Sequence, residues 1–433
     1  MAVGFLILRD ARSHLAIYFA LWVAGSLLAL SAARSLSGSR PAFLLLCAGL
    51  FRATLAWRGP ALSDDVARYA WDARVGAAGI SPYAFAPSDP ALARVAAEAP
   101  GAVPHADVRT VYPPAAQAAF RVARALGGGP RPFQLVFALA DLAIVALLLR
   151  MPGPGAGAAA ALYAFHPLAI VESAGEGHVD SLGVALLLAA MVYLGRDRPA
   201  RAGAAFALSV LTKWVAGFAA IPLLRRGGLR FAAAVLAIGG GIWLASMRGG
   251  VAPVGGLSDY ARRWEFNSLA YPALTRAAAW LDLPARAKAV FTSVRPALGD
   301  PGWAQAVYPL FYPELLARAA LGAALFVVLV LVGRRVRETE AAVFASLAAL
   351  LLASPTLHPW YLLWILPFAA RRREPAFLYL SAASVAAYAL LYPVPWLPRP
   401  AVLAVEYGPF LLLLARTLSA GRRRRAAEAA LAA

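Results

Sequence analysis

The chain has 433 residues, 61% of them hydrophobic, and a mean hydropathy of +0.66. That excludes an ordinary soluble domain, where about half the residues are apolar. A formal charge of +19 would suit nucleic acid, but the arginines sit in short loops between apolar runs, the positive-inside pattern of a membrane protein, so no nucleic-acid partner is expected.

Apolar segments fall near 15–33, 41–57, 133–150, 154–171, 181–195, 202–224, 231–247, 313–333, 341–370, 375–393 and 401–418. They predict an all-α, polytopic integral membrane protein with about 11–13 membrane segments in the lipid bilayer. The chain reads as a single membrane domain over residues 1–433, without internal repeats. The first run, Leu15 to Ala33, is too long for a cleavable signal and lacks a small-residue cleavage site. One cysteine, Cys47, excludes an intramolecular disulfide and a cysteine-rich metal site.

The stretch Leu62 to Pro87, LSDDVARYAWDARVGAAGISPYAFAP, is polar, acidic and aromatic where the rest is apolar. A helix starting at Asp64 puts Val66, Tyr69, Ala70 and Ala73 on one face. Asp65, Arg68 and Asp72 share another face, about 80° wide, and Asp64 lies about 100° from Asp65. Two acids and a guanidinium at a membrane edge suit a charged headgroup. Equally, Asp64 can cap the helix while Arg68 pairs with Asp64 or Asp72. The loop 58–132 that holds this stretch is about 75 residues, too long for a mere connector. Later in it, Tyr112-Pro113-Pro114 introduces the amphipathic stretch AAQAAFRVARAL, expected to lie on the membrane surface.

The arginine clusters GRDRPAR (195–201), LLRRGGLR (223–230), GRRVR (333–337), RRRE (371–374) and RRRR (422–425) are expected on the cytoplasmic side. Two of them flank the single stretch 202–224, which Lys213 interrupts. Half-helices of about 11 residues reach roughly 17 Å each, so the stretch reads as a broken pair that enters, turns at Lys213 and returns. LHPWY (357–361) interrupts 341–370 in the same way. Residues 62–132, 172–180, 248–312 and 393–400 then fall outside. Upstream, either the N-terminus with Arg9 and Arg12 is outside, or 15–33 does not fully span.

Ionisable groups at membrane depth are functional candidates. They are the Asp64/Asp65/Arg68/Asp72 group, then Glu172, Glu176, His178 and Asp180, then Lys213, and His358. Lysine occurs only at 213 and 288 among 41 basic residues, and a compact ammonium in a cavity suits a phosphate. Alternatively Lys213 balances a membrane carboxylate such as Asp141. Asp180 reads as a helix cap, His178 can be a loop residue, and Arg52 can snorkel. No cofactor is required by any motif, and there is no Walker A or Rossmann fingerprint. A divalent cation on Asp64 and Asp65 is conceivable through oxygen ligands.

The motifs SDDVARYAWDARVGAAGISPYAFAP (63–87), RTVYPPAAQ (109–117), HPLAIVESAGEGHVDS (166–181), LTKWVAGFAAIPLL (211–224) and LHPWYLLWILPF (357–368) together resemble the GT-C glycosyltransferases. More narrowly, they resemble the bacterial mannosyltransferase-type branch related to the catalytic subunit of the first GPI mannosyltransferase. The resemblance implies a GT-C-like fold in a bacterial inner membrane with the active site on the outer face. It implies a polyprenyl-phosphate sugar donor, mannosyl in that branch, and a glycan or lipid acceptor. It further implies a donor-binding catalytic module over 1–230 and a variable helical module over 231–433. Matched on Arg68-Tyr69 to the aminoarabinose transferases of lipid A, Asp65 is the base, Arg68 and Lys213 hold the donor phosphate, and Asp64 is a second catalytic candidate. Asp72, Tyr83, Tyr112, Glu176, His178, Asp180 and His358 would line the substrate site. The sequence has Ser63-Asp64-Asp65 where the GPI-type enzymes have Asp-x-Asp, which leaves Asp64 and any metal open. The competing reading is a transporter or lipid flippase, since broken helices and midplane charges are also transporter features.

Overall fold

The computed structural model describes residues 11–99, 101–153, 155–298 and 307–432, with side chains undescribed at 248, 294–298 and 422–432. Arg9 and the side chains of the RRRR cluster lie outside the described residues. The fold is helical, and the one β-feature among the described residues is an isolated bridge between Phe266 and Thr356. Among the described residues five helices are long and apolar enough to cross a membrane, or six if the bent pair Pro167–Gly175 and Asp180–Gly195 counts as one span. These helices fit a multi-pass membrane protein. Fewer long spans are present than the sequence predicts, because several apolar stretches are cut into shorter helices: Pro41–Ala56, Ala156–Phe165, Thr339–Ala353 and Pro375–Leu391.

The chain divides into two compact units, one ending at Arg263 and resuming at His358, the other running Trp264–Leu357. The first unit is continuous across residue 230: the segment after Gly228 lies along the helix before Lys213, with Gly203 against the Phe231 carbonyl and Gly239 against Ala207.

In the first unit, α1 (Leu15–Ser35) and α2 (Pro41–Ala56) lead into the polar region. There α3 (Asp65–Ala77) and α4 (Pro114–Leu126) pack on α5 (Arg131–Arg150). The predicted apolar face of α3 is the packing face: Val66, Tyr69 and Ala73 meet Ala116, Phe120 and Ala123 of α4 and Phe133 and Phe137 of α5, with Ala70 at the margin. Tyr69 stacks on Phe120 at 4.4 Å. Each large side chain buried in this way contributes about 1.5–3 kcal/mol. Ala116, Phe120 and Ala123 of α4 are thus covered by protein, while its Val122 and Leu126 stay exposed.

Beyond α5 come α6 (Ala156–Phe165), α7 (Asp180–Gly195) and α8 (Pro199–Val210). The helix ends at Lys213, which is extended with φ −155° and ψ 133°, and restarts at Trp214. The following α9 (Trp214–Ser246) is interrupted at Gly228, whose φ of +61° and ψ of −156° is non-helical. Glycine adopts this conformation without the Cβ penalty. The breaks predicted at 213 and near 357–361 are thus real backbone breaks, the second lying between Ala353 and the turn Pro359–Trp364. The unit closes with α14 (Pro375–Leu391) and α15 (Arg399–Ala432). The second unit, between them in sequence, holds α10 (Ala270–Trp280), α11 (Leu283–Leu298), α12 (Pro313–Arg335) and α13 (Thr339–Ala353). Tyr271, Ala317 and Leu321 form its core.

Contacts sort the first unit's turns into two ends. Gly157 meets the Ser37 carbonyl, Gly195 lies against Pro152, and Arg371 donates to the Pro152 carbonyl at 2.9 Å. At the other end Arg12 pairs with Asp64 at 2.9 Å, and the Ala115 amide donates to Leu211 at 2.8 Å. The start of α1 therefore shares an end with the polar region.

The apolar middle contains a buried ion pair. Arg52 is 1% exposed, bonds Asp141, and donates to the Ala48 and Ala164 carbonyls at 3.1 and 2.9 Å, while the Tyr163 hydroxyl also donates to Asp141. This corrects two expectations: Arg52 does not snorkel, and the partner of Asp141 is not Lys213. Removing one member leaves an unpaired buried charge, which costs about 3–5 kcal/mol. Asp141→Ala is therefore expected to lower the melting temperature and folded yield sharply, and the joint change Arg52→Met with Asp141→Leu to recover much of the loss. An Asp141→Ala protein that melts with the wild type would show that the pair does not hold α2 to α5.

Candidate functional site

The N-terminus of α3 is placed by a carboxylate far away in sequence. Glu176, fully buried, accepts from the backbone amides of Ala61, Leu62 and Ser63 at 3.0, 2.8 and 3.0 Å, and pairs with Arg58 at 3.3 Å. Gly177 follows with φ +71°, and a Cβ there would stand 2.9 Å from Val66. Only glycine lets this turn approach α3. Glu176 is thus a brace and not an open substrate ligand as expected.

Asp64 and Asp65 then diverge. Asp64 occupies the cap position but makes no capping bond; its carboxylate, 65% exposed, goes to Arg12. The Asp65 amide instead donates to Ser63 Oγ at 3.2 Å. Asp65 turns inward, where the Tyr69 and Tyr112 hydroxyls donate to its Oδ2 at 3.3 and 3.4 Å and His178 Nε2 lies at 3.8 Å. A guanidinium on one carboxylate and two phenols on the other do not form a two-carboxylate cation site, so Asp64 and Asp65 as arranged do not fit the divalent ion considered above. Among the described residues no group of three or more His, Cys, Asp or Glu is placed to hold a metal.

Arg68 is the clearest departure from expectation. Its guanidinium donates to Asp72 at 3.2 Å and to the carbonyls of Pro104, His105 and Val108 at 3.3, 3.1 and 2.7 Å. With its fork engaged, it clamps the loop and is not open to a phosphate. Asp72 in turn accepts from Thr110 and from Gln117, the latter at 2.9 Å. Burial pushes the Asp72 carboxyl above the usual range while Arg68, Thr110 and Gln117 pull it back. Tyr83 is buried and donates to the Tyr112 carbonyl at 3.1 Å. Asp72 and Tyr83, expected to touch substrate, belong to this internal network. It accounts for the RTVYPPAAQ motif, whose Thr110, Tyr112 and Gln117 are all used in it.

Facing Asp65 is a second layer. His178 is buried, 3.1 Å from Glu172 through Nδ1–Oε2, an electrostatic contact that lacks hydrogen-bond alignment, and its Nε2 lies 3.1 Å from Ser63 Oγ. Its ring stacks on Trp360 at 4.1 Å, and His358 stacks on the same indole at 4.3 Å. Lys213 Nζ lies 2.7 and 2.8 Å from the two oxygens of Asp180 and 4.3 Å from the centroid of the Tyr361 ring. Trp364 Nε1 also donates to Asp180 at 2.7 Å. Asp180 is therefore the partner of Lys213 and not a helix cap. Trp360, Tyr361 and Trp364 are the residues that sequence reasoning did not assign, whereas Glu172 was a candidate by its charge without a role. The LHPWY motif carried the signal for two of them, and Glu172 lies six residues from His178 in an apolar run.

Solvent access separates the acids. The side chains of Glu172, Glu176 and Asp180 are 0% exposed, while Asp65 is 31% and Lys213 16% exposed. A carboxylate and an ammonium are thus open at one aromatic-lined place built from four separated segments. Comparison of the chain with family models, with curated proteins and with solved structures gives no match.

Arg68→Ala removes the clamp and leaves Asp72 buried without its ion-pair partner, a change of about 3–5 kcal/mol where the loop stays dry. Faster amide exchange and proteolysis across residues 101–110 are expected. Unchanged exchange there would show that the loop is held by other contacts.

Proposed function

We propose that this chain is a membrane glycosyltransferase of the GT-C type, moving a hexose, by the resemblance mannose, from a polyprenyl-phosphate donor to a glycan or lipid acceptor. The observation that carries the reading is the convergence on one place of Asp65, His178, Lys213 and the His358–Tyr361 turn, each next to a helix break. Irregular backbone at membrane depth persists where it lines a cavity. The break at Lys213 fits a re-entrant segment whose tip faces the outer side, in a GT-C-like arrangement.

In this reading Lys213, held by Asp180, receives the donor phosphate, and Arg68 acts at one remove by holding the loop. Asp65 accepts the proton of the acceptor hydroxyl. The freed oxygen attacks the anomeric carbon, the bond from that carbon to the phosphate oxygen breaks, and polyprenyl phosphate leaves with inversion. Lys213 stabilises the charge that develops on the leaving oxygen. The alternative of a transporter or flippase would use the same breaks, and it differs in releasing the donor lipid unchanged.

The test is incubation of the purified protein with polyprenyl-phosphate mannose or glucose and lipid or glycan acceptors, with transfer followed by mass spectrometry. Asp65→Asn should bind donor normally and lose about 10²–10⁴-fold in turnover. Lys213→Ala should weaken donor binding by about 2–5 kcal/mol, and Asp64→Asn should change neither. Translocation of a labelled donor across proteoliposomes with no sugar transfer would favour the transporter, and near wild-type turnover of Asp65→Asn would falsify the base.

Sidedness has its own measurement. In a Cys47→Ser background, a cysteine at Ala78 or Ala125 should react with an impermeant thiol reagent from outside, and one at Arg198 or Arg226 should not. Outside labelling at Arg226 would remove the re-entrant pair at Lys213.

A further inference from the structure

The face of α3 opposite Asp65 and Asp72 opens on a second pocket of about 290 Å³, lined by Trp71 and Arg74 of α3, Arg124 of α4, the Gly127–Gly129 turn and Phe133 at the start of α5. None of its functions is absorbed by the site above. Arg74 is partly buried and Arg124 exposed. Neither guanidinium has a hydrogen-bond or ion-pair partner among the described residues, and no carboxylate lines the pocket. Two uncommitted guanidiniums on one cavity have no structural task to account for them.

The glycine turn is the second, independent feature. A Cβ at Gly128 or Gly129 would meet nothing within 4 Å. Their amides donate to no described group. The pocket thus joins open backbone donors to two cations, the donor set of an oxyanion site.

Its position selects the source of the oxyanion. The turn leads directly into α5, one of the membrane-length helices. Beside it the apolar side chains Val122, Leu126 and Trp57 are 55%, 67% and 71% exposed, and the Arg131 guanidinium lies 4.8 Å over the Trp57 ring. Exposed tryptophan paired with arginine at the end of an apolar helix marks the headgroup layer. Trp71 and Phe133 give the pocket an apolar wall on which a glycerol or the start of an acyl chain can rest.

We propose that this pocket binds the phosphate of an anionic membrane phospholipid, held by Arg74, Arg124 and the amides of Gly128 and Gly129. The assignment uses the membrane reading but not the transferase, and its test involves no sugar transfer.

The experiment titrates the full-length protein in neutral detergent with short-chain phosphatidylglycerol, phosphatidylcholine or inorganic phosphate, reading bound lipid by native mass spectrometry. Phosphatidylglycerol is expected to bind tightest. Arg74→Gln and Arg124→Gln should each weaken it by about fivefold, and together by about 25-fold. Arg94→Gln, exposed and outside the pocket, should leave it unchanged. The double lysine variant, which keeps the charge and loses the fork, should bind between the wild type and the double glutamine variant, which separates lost charge from lost fold. Wild-type affinity in the double glutamine variant overturns the site, as does phosphatidylcholine binding as tightly as phosphatidylglycerol. Inorganic phosphate binding as tightly as the lipid overturns the lipid assignment in favour of a free phosphate.

Discussion

The carboxylate of Glu176 is the constraint on which the polar region depends. It is fully buried, and three successive amides at 61–63 together with Arg58 satisfy it. A carboxylate in that position is tolerable only with several charge-favouring donors, so the chain around residue 62 has little freedom to move. That fixes Ser63, and with it both the first turn of α3 and the distance from Asp65 to His178. The apolar body thereby dictates where an exposed acid stands, although the two are far apart in sequence.

The same logic repeats at the other breaks. Arg52 supplies donors to the Ala164 carbonyl where α6 ends, and Gln134 donates to the Ala174 and Gly175 carbonyls at 3.0 and 2.6 Å. Asp180 gathers Lys213 and Trp364 from two different breaks. Interrupting a helix in an apolar setting frees backbone groups that must find partners. Buried polar side chains here serve first as those partners. Within this network Asp65 and Lys213 are the groups left partly open.

Sequence periodicity was informative where a residue's environment follows from its own helix. It gave the apolar face of α3, as run length gave the long apolar helices and the flanking arginine clusters gave the break at Lys213. It also gave the separation of Asp64 from Asp65, since the angle between adjacent helical positions is fixed. It was silent on partners. Arg68 on a helix face is equally suited to a phosphate or to three loop carbonyls, and the carbonyls come from residues 36, 37 and 40 positions away. Asp180 looks like a cap because it begins a helix, and only the return of Lys213 and Trp364 reveals its pairing. Glu172 stood out by its charge but not by its role, since its contacts, His178 and Tyr388, are meaningful only once the α14 region is in place.

The brace at Glu176 also sets an order of assembly. It binds Ala61 across 115 positions, so the helices at 65–77 and 114–126 are made before the group that anchors their root exists. At about 5–20 residues per second the interval is roughly 6–23 s. During that time the polar segment must be carried by its own small core around Tyr69 and Phe120. A last tie, the Tyr392 hydroxyl donating to the Leu62 carbonyl at 2.9 Å, spans 330 positions. A ribosome-bound chain stalled before residue 392 would therefore carry the acid at 65 without this tie.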